Sequence, residues 1–203
     1  MRTARKLLIT AAAAATALAL AGCADTSMSG MDHGDGAGAP AADSADPVAG
    51  ASGADVAFAT MMIPHHEQAV EMSELLLAEA ELSDPVRVLA EGVMAAQQPE
   101  IDQLREWLAE WGQDEVDMGG MDHGDGMMSG DDLAALEAAT GAEAERLYLE
   151  QMIVHHEGAV AMAEVEIADG EHPDAIAMAE RIVATQSDEI ALMQELLGEA
   201  PRG

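Results

Sequence analysis

The sequence has few aromatic side chains and little positive charge. One Phe, one Tyr and two Trp occur in 203 residues, so the chain offers no platform on which sugars or nucleic acid bases would stack. Lys and Arg number 8 against 39 Asp and Glu, which gives a formal net charge of −31. Because nucleic acids and anionic membrane surfaces are polyanions, we expect neither as a direct partner. Cations are favoured instead, although acidity that only aids solubility would give the same composition.

Cysteine is also nearly absent, since Cys23 is the only one, and the chain can form no internal disulfide. Cys23 follows a short basic region and an apolar run at residues 7–21. This run is too short for a membrane span. Leu-Ala-Gly-Cys at residues 20–23 resembles the lipobox of bacterial lipoproteins; an ordinary secretory signal is the alternative. The resemblance implies a signal peptide over residues 1–22 and lipid attachment at Cys23. The protein would then be anchored at the outer face of the bacterial cytoplasmic membrane, or in the periplasm or cell envelope.

Composition divides the remaining chain into a tether and a domain. Residues 23–53 are rich in Gly, Ala and Asp, contain Met and lack apolar periodicity, which predicts a flexible tether. Residues 54–199 predict one duplicated domain. Its halves are residues 54–112 and 131–199, and a Met/His/Gly loop at residues 117–130 joins them.

Four segments of the domain are rich in Ala, Leu, Glu, Met and Gln, the strong helix formers, and no alternating run of β-branched residues predicts a strand. The predicted helices span Ala54–Leu82, Asp84–Trp111, Asp131–Asp169 and Pro173–Leu197. Pro64 lies inside the first of them, where it should kink or restart the helix. The short connection within each half predicts an antiparallel hairpin, and two hairpins close most simply into a bundle. The predicted fold class is therefore all-α, an antiparallel four-helix bundle.

The two halves repeat a motif of histidine and methionine. Residues 62–74 read M-I-P-H-H-E-Q-A-V-E-M-S-E, and residues 152–164 read M-I-V-H-H-E-G-A-V-A-M-A-E, at an offset of 90 residues. The second helices repeat at an offset of 89: E-G-V-M-A-A-Q at residues 91–97 matches E-R-I-V-A-T-Q at residues 180–186, and each is followed by Glu-Ile. A fixed period this long indicates a duplicated half-domain rather than a solenoid.

These repeats resemble the domain-of-unknown-function family numbered 305. The M-x-x-H-H-x-x-A-x-x-M helix and the following Gln…Glu-Ile helix carry the resemblance, which covers roughly residues 55–199. It implies a ferritin-like four-helix bundle, often secreted or lipid-anchored, with some members linked to copper or silver handling. Leu104 stands where the second half has Met193, so the first half offers no methionine ligand at that position.

Each histidine of the repeats has a methionine within one or two helical turns. Met four residues before a His, or seven after it, lies near the same helix face. Imidazole with thioether suits Cu(I) and Ag(I), whereas imidazole with carboxylate suits Cu(II) or Zn(II). The predicted ligands in the repeats are His65, His66, Met62, Met72, His155, His156, Met152 and Met162. Core packing is the alternative role for each Met and each His.

Glu67 and Glu157 directly follow the histidine pairs. We predict that they accept a hydrogen bond from an imidazole and so orient it; a solvated surface charge is the alternative.

A second repeat, M-D-H-G-D-G, occurs in the tether and in the loop between the halves. Glycine neighbours give its Met and His no packing role, which favours flexible metal-scavenging sites over copied low-complexity linker. The predicted ligands there are Met31, His33, Met121 and His123, with Met28, Met118, Met127 and Met128 beside them.

Enzyme chemistry finds no support in the sequence. Di-iron bundles use Glu-x-x-His motifs, and none occurs; the nearest is Asp169-x-x-His172, at a loop. No nucleophile motif or phosphate-binding glycine loop is present either.

We therefore predict a non-enzymatic, extracytoplasmic, lipid-anchored protein that sequesters or transfers copper. Cu(I) is the favoured ion, with Ag(I), Cu(II) or Zn(II) as alternatives, and another metal carrier or transporter is the expected partner. A helical structural or partner-binding module with core histidines is the second hypothesis, and a di-metal oxidase is the third.

Overall fold

The computed structural model describes residues 50–114 and 126–199. The chain divides into two units, Met1–Ala42 and Asp43–Gly203, and all the described residues belong to the second. They form helices, turns and irregular connections without a strand, which confirms the all-α fold class. None of the described helices is long and apolar enough to cross a membrane.

Four long helices and one short helix build the domain. In chain order they are α1 (Gly53–Leu77), α2 (Asp84–Glu110), α3 (Gly130–Ala138), α4 (Ala142–Asp169) and α5 (Pro173–Glu199). α1 packs along α2, and α4 packs along α5, as the two predicted hairpins. α1 and α4 also pack against each other, whereas α2 and α5 meet only over a short stretch. The two central helices of the bundle are therefore the two that carry the repeated histidines.

Local sequence explains where several helices begin. A capping box opens both α1 and α3, formed by Ser52 with Asp55 and by Ser129 with Asp132. In each pair the serine side chain and the aspartate side chain accept backbone N–H groups that the first turn would otherwise leave unpaired. α2 begins after Ser83 with a proline in its first turn, as the Ser-Asp-Pro sequence predicts.

Two of the predicted helices differ clearly from the structure in where they end or break. The first ends at Leu77 rather than Leu82, and residues 78–83 form the hairpin connection. The third is broken at residues 139–141, which separate α3 from α4, and Gly141 there has a φ of +54°. That left-handed conformation suits glycine, but strong helix formers on both sides hide the break in the sequence. Pro64 does not divide α1, which continues through it.

The apolar core consists of two clusters, one toward each end of the bundle. The tryptophan cluster includes Phe58, Met62, Ile101, Leu104, Trp107, Trp111, Met162, Met178 and Ile182. The tyrosine cluster includes Met72, Leu76, Leu89, Val93, Tyr148, Leu149, Met152 and Met193. Along each long helix, polar residues separate the positions that belong to one cluster from those that belong to the other. We call this set the polar layer: His65, His66, Gln97, Glu100, His155, His156, Gln186 and Glu189.

Candidate metal centre

Each long helix contributes two side chains to the polar layer, and the duplication relates them in pairs. The histidines of α1 and α4 are 90 residues apart, and the Gln and Glu residues of α2 and α5 are 89 residues apart. Six of the eight side chains are buried; the two glutamates are partly exposed. The repeats noticed in the sequence therefore converge on one level in the middle of the bundle.

One imidazole in each half is held by a carboxylate from the neighbouring helix. His66 Nε2 lies 3.0 Å from Glu100 Oε2, and His156 Nε2 lies 2.7 Å from Glu189 Oε2. Because a carboxylate only accepts hydrogen bonds, the imidazole nitrogen must donate. A neutral ring therefore carries its proton on Nε2 and keeps a lone pair on Nδ1.

The two Nδ1 atoms face no hydrogen-bond partner. In the described part of the chain, Nδ1 of His66 and Nδ1 of His156 are buried without a donor or acceptor in reach. Buried polar atoms are nearly always paired, so two equivalent exceptions need a reason. A carboxylate that orients one imidazole nitrogen while the other is available is the usual arrangement around protein-bound metal ions.

The remaining two histidines meet between the halves. The ring centroids of His65 and His155 are 3.7 Å apart with an interplanar angle of 40°, and both side chains are buried. The rings are in contact, so a metal ion would bind at their edges through the in-plane nitrogen lone pairs. The two halves thus bring one histidine each into direct contact where α1 and α4 pack together.

The environment of His155 favours the neutral form of its imidazole. Its burial, followed by the neighbouring histidines, holds the pKa of His155 well below the usual 6.5. Neither of its ring nitrogens has a hydrogen-bond partner of normal geometry in the described residues. A neutral imidazole is the form that coordinates metal ions.

The four methionines of the repeats lie on both sides of the polar layer, two in each apolar cluster. Met62 and Met162 belong to the tryptophan cluster, whereas Met72 and Met152 belong to the tyrosine cluster. Each cluster therefore receives one of these residues from each half. All four side chains are buried, so they fill the core whether or not they also bind a metal ion.

Imidazoles and carboxylates do not by themselves complete a metal site in this conformation. Among residues 50–114 and 126–199, no group of three or more His, Cys, Asp or Glu side chains could hold an ion. A centre in the polar layer therefore requires thioether ligands beside the imidazoles, or a rearrangement of the side chains on binding. Thioether participation selects for soft ions.

The imidazole acceptors differ from those predicted. Glu67 is exposed and pairs with Arg105, and Glu157 is exposed on α4. Glu100 and Glu189 take the predicted role instead. The signal that could have found them is the Gln…Glu-Ile pattern repeated in α2 and α5, because it recurs at nearly the offset of the histidines.

The predicted loop ligands Met31, His33, Met121 and His123, and the lipid attachment residue Cys23, lie outside the described residues. The structure describes the last residues, 126–130, of the loop between the halves, and hydrogen bonds join them to α1. The Gln68 side chain donates to the backbone carbonyl of Met128 and accepts from its N–H. The Met128 side chain packs against the tyrosine cluster, so the prediction that Met128 belongs to a flexible scavenging loop is wrong.

Comparisons with known proteins agree with this architecture. The sequence model of a domain of unknown function, DUF305, matches residues 55–197. A DUF305 fragment from Deinococcus radiodurans is 33% identical, with a TM-score of 0.68 over 73% of this chain and 97% of that chain. A DUF305 protein from Streptomyces coelicolor is 32% identical, with a TM-score of 0.67 over 72% of this chain and 92% of that chain.

A third similar structure is a copper-bound protein. CopM in its Cu(II)-bound form is 31% identical, with a TM-score of 0.64 over 71% of this chain and 95% of that chain. CopM has also been solved in Cu(I)-bound and Ag-bound forms. The curated proteins include no match to this sequence. The family match, the solved relatives and the duplicated helices lead to one conclusion: the chain belongs to the DUF305 family.

Proposed function

We propose that this protein binds copper in the polar layer and sequesters it or passes it on, outside the cytoplasm and without catalysing a reaction. Cu(I) is the favoured ion, and Ag(I) is the alternative with the same ligand preference. The observation that carries the proposal is the pair of buried Nδ1 atoms on His66 and His156, each on a ring whose other nitrogen a carboxylate holds.

The ligand chemistry supports a soft ion. Imidazole nitrogens lie in a layer bordered on both sides by buried methionines, and thioether with imidazole is a ligand set that Cu(I) accepts readily. A neutral His155 adds a nitrogen donor whose use requires no proton release. Copper-bound and silver-bound CopM, about 30% identical, supports the same choice of metal.

The expected place of action rests on the sequence. The lipobox-like residues 20–23 support lipid attachment at Cys23, and more than one acyl chain would make that anchor stable. The tether would then hold the bundle at the membrane surface, where it could exchange copper with another metal carrier or a transporter.

The test is a competition titration of the full chain with Cu(I) against a chelator of known affinity. We expect stoichiometric uptake, and a loss of about tenfold or more in affinity for His66→Ala combined with His156→Ala. His172→Ala is the matched control, because His172 lies outside the polar layer and packs against Trp107 and Trp111. Absent uptake by the unmodified protein, or equal affinity of the double variant and the control, would contradict the proposal.

A second candidate function, a helical partner-binding module, is favoured by one observation. The bonds from His66 to Glu100 and from His156 to Glu189 join neighbouring helices, so they could serve architecture alone. In that case the double histidine variant unfolds at lower denaturant concentration, while the protein takes up no Cu(I). The two readouts, affinity and unfolding midpoint, separate the candidates.

A further inference from the structure

A small cavity lies between α2 and α5, at the level of the polar layer. Its volume is about 40 Å³, and its polar lining includes Gln97, Glu100, Gln186 and Glu189. A water molecule's share of liquid volume is about 30 Å³, so the cavity has room for one small ion with a water molecule. Each half supplies one amide and one carboxylate, and Thr185 adds a hydroxyl from the second half alone.

Three polar atoms of the two amides at this cavity are buried without a hydrogen-bond partner in the described part of the chain. Gln97 is 2% exposed and Gln186 is 3% exposed. Both side-chain polar atoms of Gln97 and the Oε1 atom of Gln186 have no hydrogen bond within the described residues. Burying an amide without a partner is unfavourable, and two related positions do so at one cavity. The amides therefore require a polar occupant.

Charge decides what kind of occupant fits. Glu100 and Glu189 each use Oε2 toward an imidazole, and a carboxylate oxygen pair has about four lone-pair sites in all. No Lys or Arg side chain is among the described residues that line the cavity. The two carboxylates thus place acidic oxygens at a partly buried position where no basic side chain lines the cavity, and a cation would pair with them.

We propose that this cavity is a second cation site, separate from the imidazole and thioether centre, for a divalent ion that prefers oxygen ligands. Glu100 and Glu189 supply carboxylate oxygens, and Gln97 and Gln186 supply amide oxygens. Carboxylates, side-chain carbonyls and water are the ligands that such ions take in proteins. The amides are the part of this site that is not shared with the histidines, so they are the residues on which to test it.

Mn²⁺ is a suitable probe because it prefers oxygen ligands and is visible by electron paramagnetic resonance. We would titrate the full chain with Mn²⁺ and compare Gln97→Leu/Gln186→Leu with Gln98→Leu/Gln194→Leu. The control pair makes the same change on the same two helices at exposed positions. We expect one ion bound more tightly than the acidic surface binds it, with a loss of about tenfold or more in affinity for the first pair only.

Equal Mn²⁺ affinity for the two variant pairs, or only surface-type binding by the unmodified protein, would overturn the proposal. If the first pair does not fold, crystals of the unmodified protein soaked in Mn²⁺ decide the matter. An anomalous peak between α2 and α5 supports the site, and water alone in the cavity overturns it. Because Mn²⁺ does not favour thioethers, this result is independent of whether the protein binds Cu(I).

Discussion

Glu166 and Asp55 are two buried carboxyl groups that interact where α4 ends and α1 begins. Asp55 also accepts hydrogen bonds from the backbone N–H groups of Glu171 and His172, which fastens the α4–α5 connection to the start of α1. The duplication does not reproduce this pair: the positions 90 residues away hold Glu145 and Leu76. It is therefore a feature of one end of the bundle alone.

The two carboxyls have opposite pKa shifts. Burial, and then the adjacent Asp55, raise the pKa of Glu166 to about 8. Burial alone would raise the pKa of Asp55 as well. Hydrogen bonds donated by the backbone N–H groups of His172 and Ser52 outweigh this effect and hold the pKa of Asp55 at about 2. Asp55 is thus the charged member near neutral pH, and Glu166 is the protonated one.

We predict that Glu166→Gln flattens the pH dependence of stability. Glu166 ionises near 4.5 in the unfolded chain but near 8 in the folded one, so this group lowers the free energy of unfolding as pH rises from 4.5 to 8. The expected loss is on the order of 2–4 kcal/mol. Asp55 acts in the other direction, because its contribution is present above 3.8 and is lost as pH falls toward 2.

Urea unfolding at pH 5 and pH 8.5 measures this difference. The Gln variant should be nearly equal to the unmodified protein at pH 5 and more stable than it at pH 8.5. Glu157→Gln, an exposed change on the same helix, should leave the pH profile unaltered. Parallel profiles for the unmodified protein and Glu166→Gln would show that Glu166 titrates normally.

Replacing glycine by alanine should have opposite effects on stability at Gly170, which is crowded, and at Gly92, which is open. A Cβ at Gly170 would clash with Glu166 Oε1 and would lie 2.6 Å from the Glu166 carbonyl oxygen, so Gly170→Ala should cost about 1–3 kcal/mol. Gly92 lies inside α2, and a Cβ there would have nothing within 4 Å. Gly92→Ala should therefore stabilise the protein by about 0.5–1 kcal/mol. Shifts of opposite sign in the unfolding midpoint are expected, and equal midpoints would contradict the crowding.

Removing the two carboxylates should weaken copper binding. Glu100→Ala with Glu189→Ala frees both imidazoles to rotate, and loss of such an orienting partner typically costs about 10–100-fold in metal affinity. Glu91→Ala with Glu180→Ala makes the same change at exposed, related positions on α2 and α5. The Cu(I) competition titration is the measurement. An equal loss of affinity in both pairs would mean that the effect is only one of overall charge.

A buried hydroxyl pair between α1 and α4 gives a prediction about stability. The Ser73 Oγ donates to the Ala69 carbonyl and lies 3.0 Å from the Tyr148 hydroxyl. Tyr148→Phe leaves Ser73 with its donor satisfied and should cost about 0.5–1.5 kcal/mol. Ser73→Ala leaves the buried tyrosine hydroxyl without this partner and should cost more, about 1–3 kcal/mol. Thermal or urea unfolding would compare them, and the reverse order would disprove this assignment of donors.

Part of the fold can be predicted from local sequence. Helix formers, the Ser-Asp-Pro start of α2 and the repeated histidine faces are properties of neighbouring residues. The break at Gly141 cannot be predicted in this way, because it depends on one backbone conformation among good helix formers. The predicted first helix is too long for a related reason, since residues 78–82 favour a helix but serve as the hairpin connection.

The candidate site can be predicted as far as one helix defines it. Spacing assigns the histidines and methionines, but the acceptor of each imidazole comes from another helix. His66 and Glu100 are 34 residues apart, and His156 and Glu189 are 33 residues apart. Such a pairing depends on how α2 lies along α1 and how α5 lies along α4. Glu67 and Glu157 are nearer in sequence but lie on the exposed side.

The bonds from His66 to Glu100 and from His156 to Glu189 also fix the axial register of the helices. The apolar positions of the four long helices are largely Ala, Leu, Met and Val, which would tolerate sliding by one turn, about 5.4 Å, within each hairpin. Such a slide would leave both imidazoles without acceptors in an apolar interior, at a cost for every unpaired group. The residues proposed to hold the metal ion would therefore also select a single alignment from several that the apolar contacts permit.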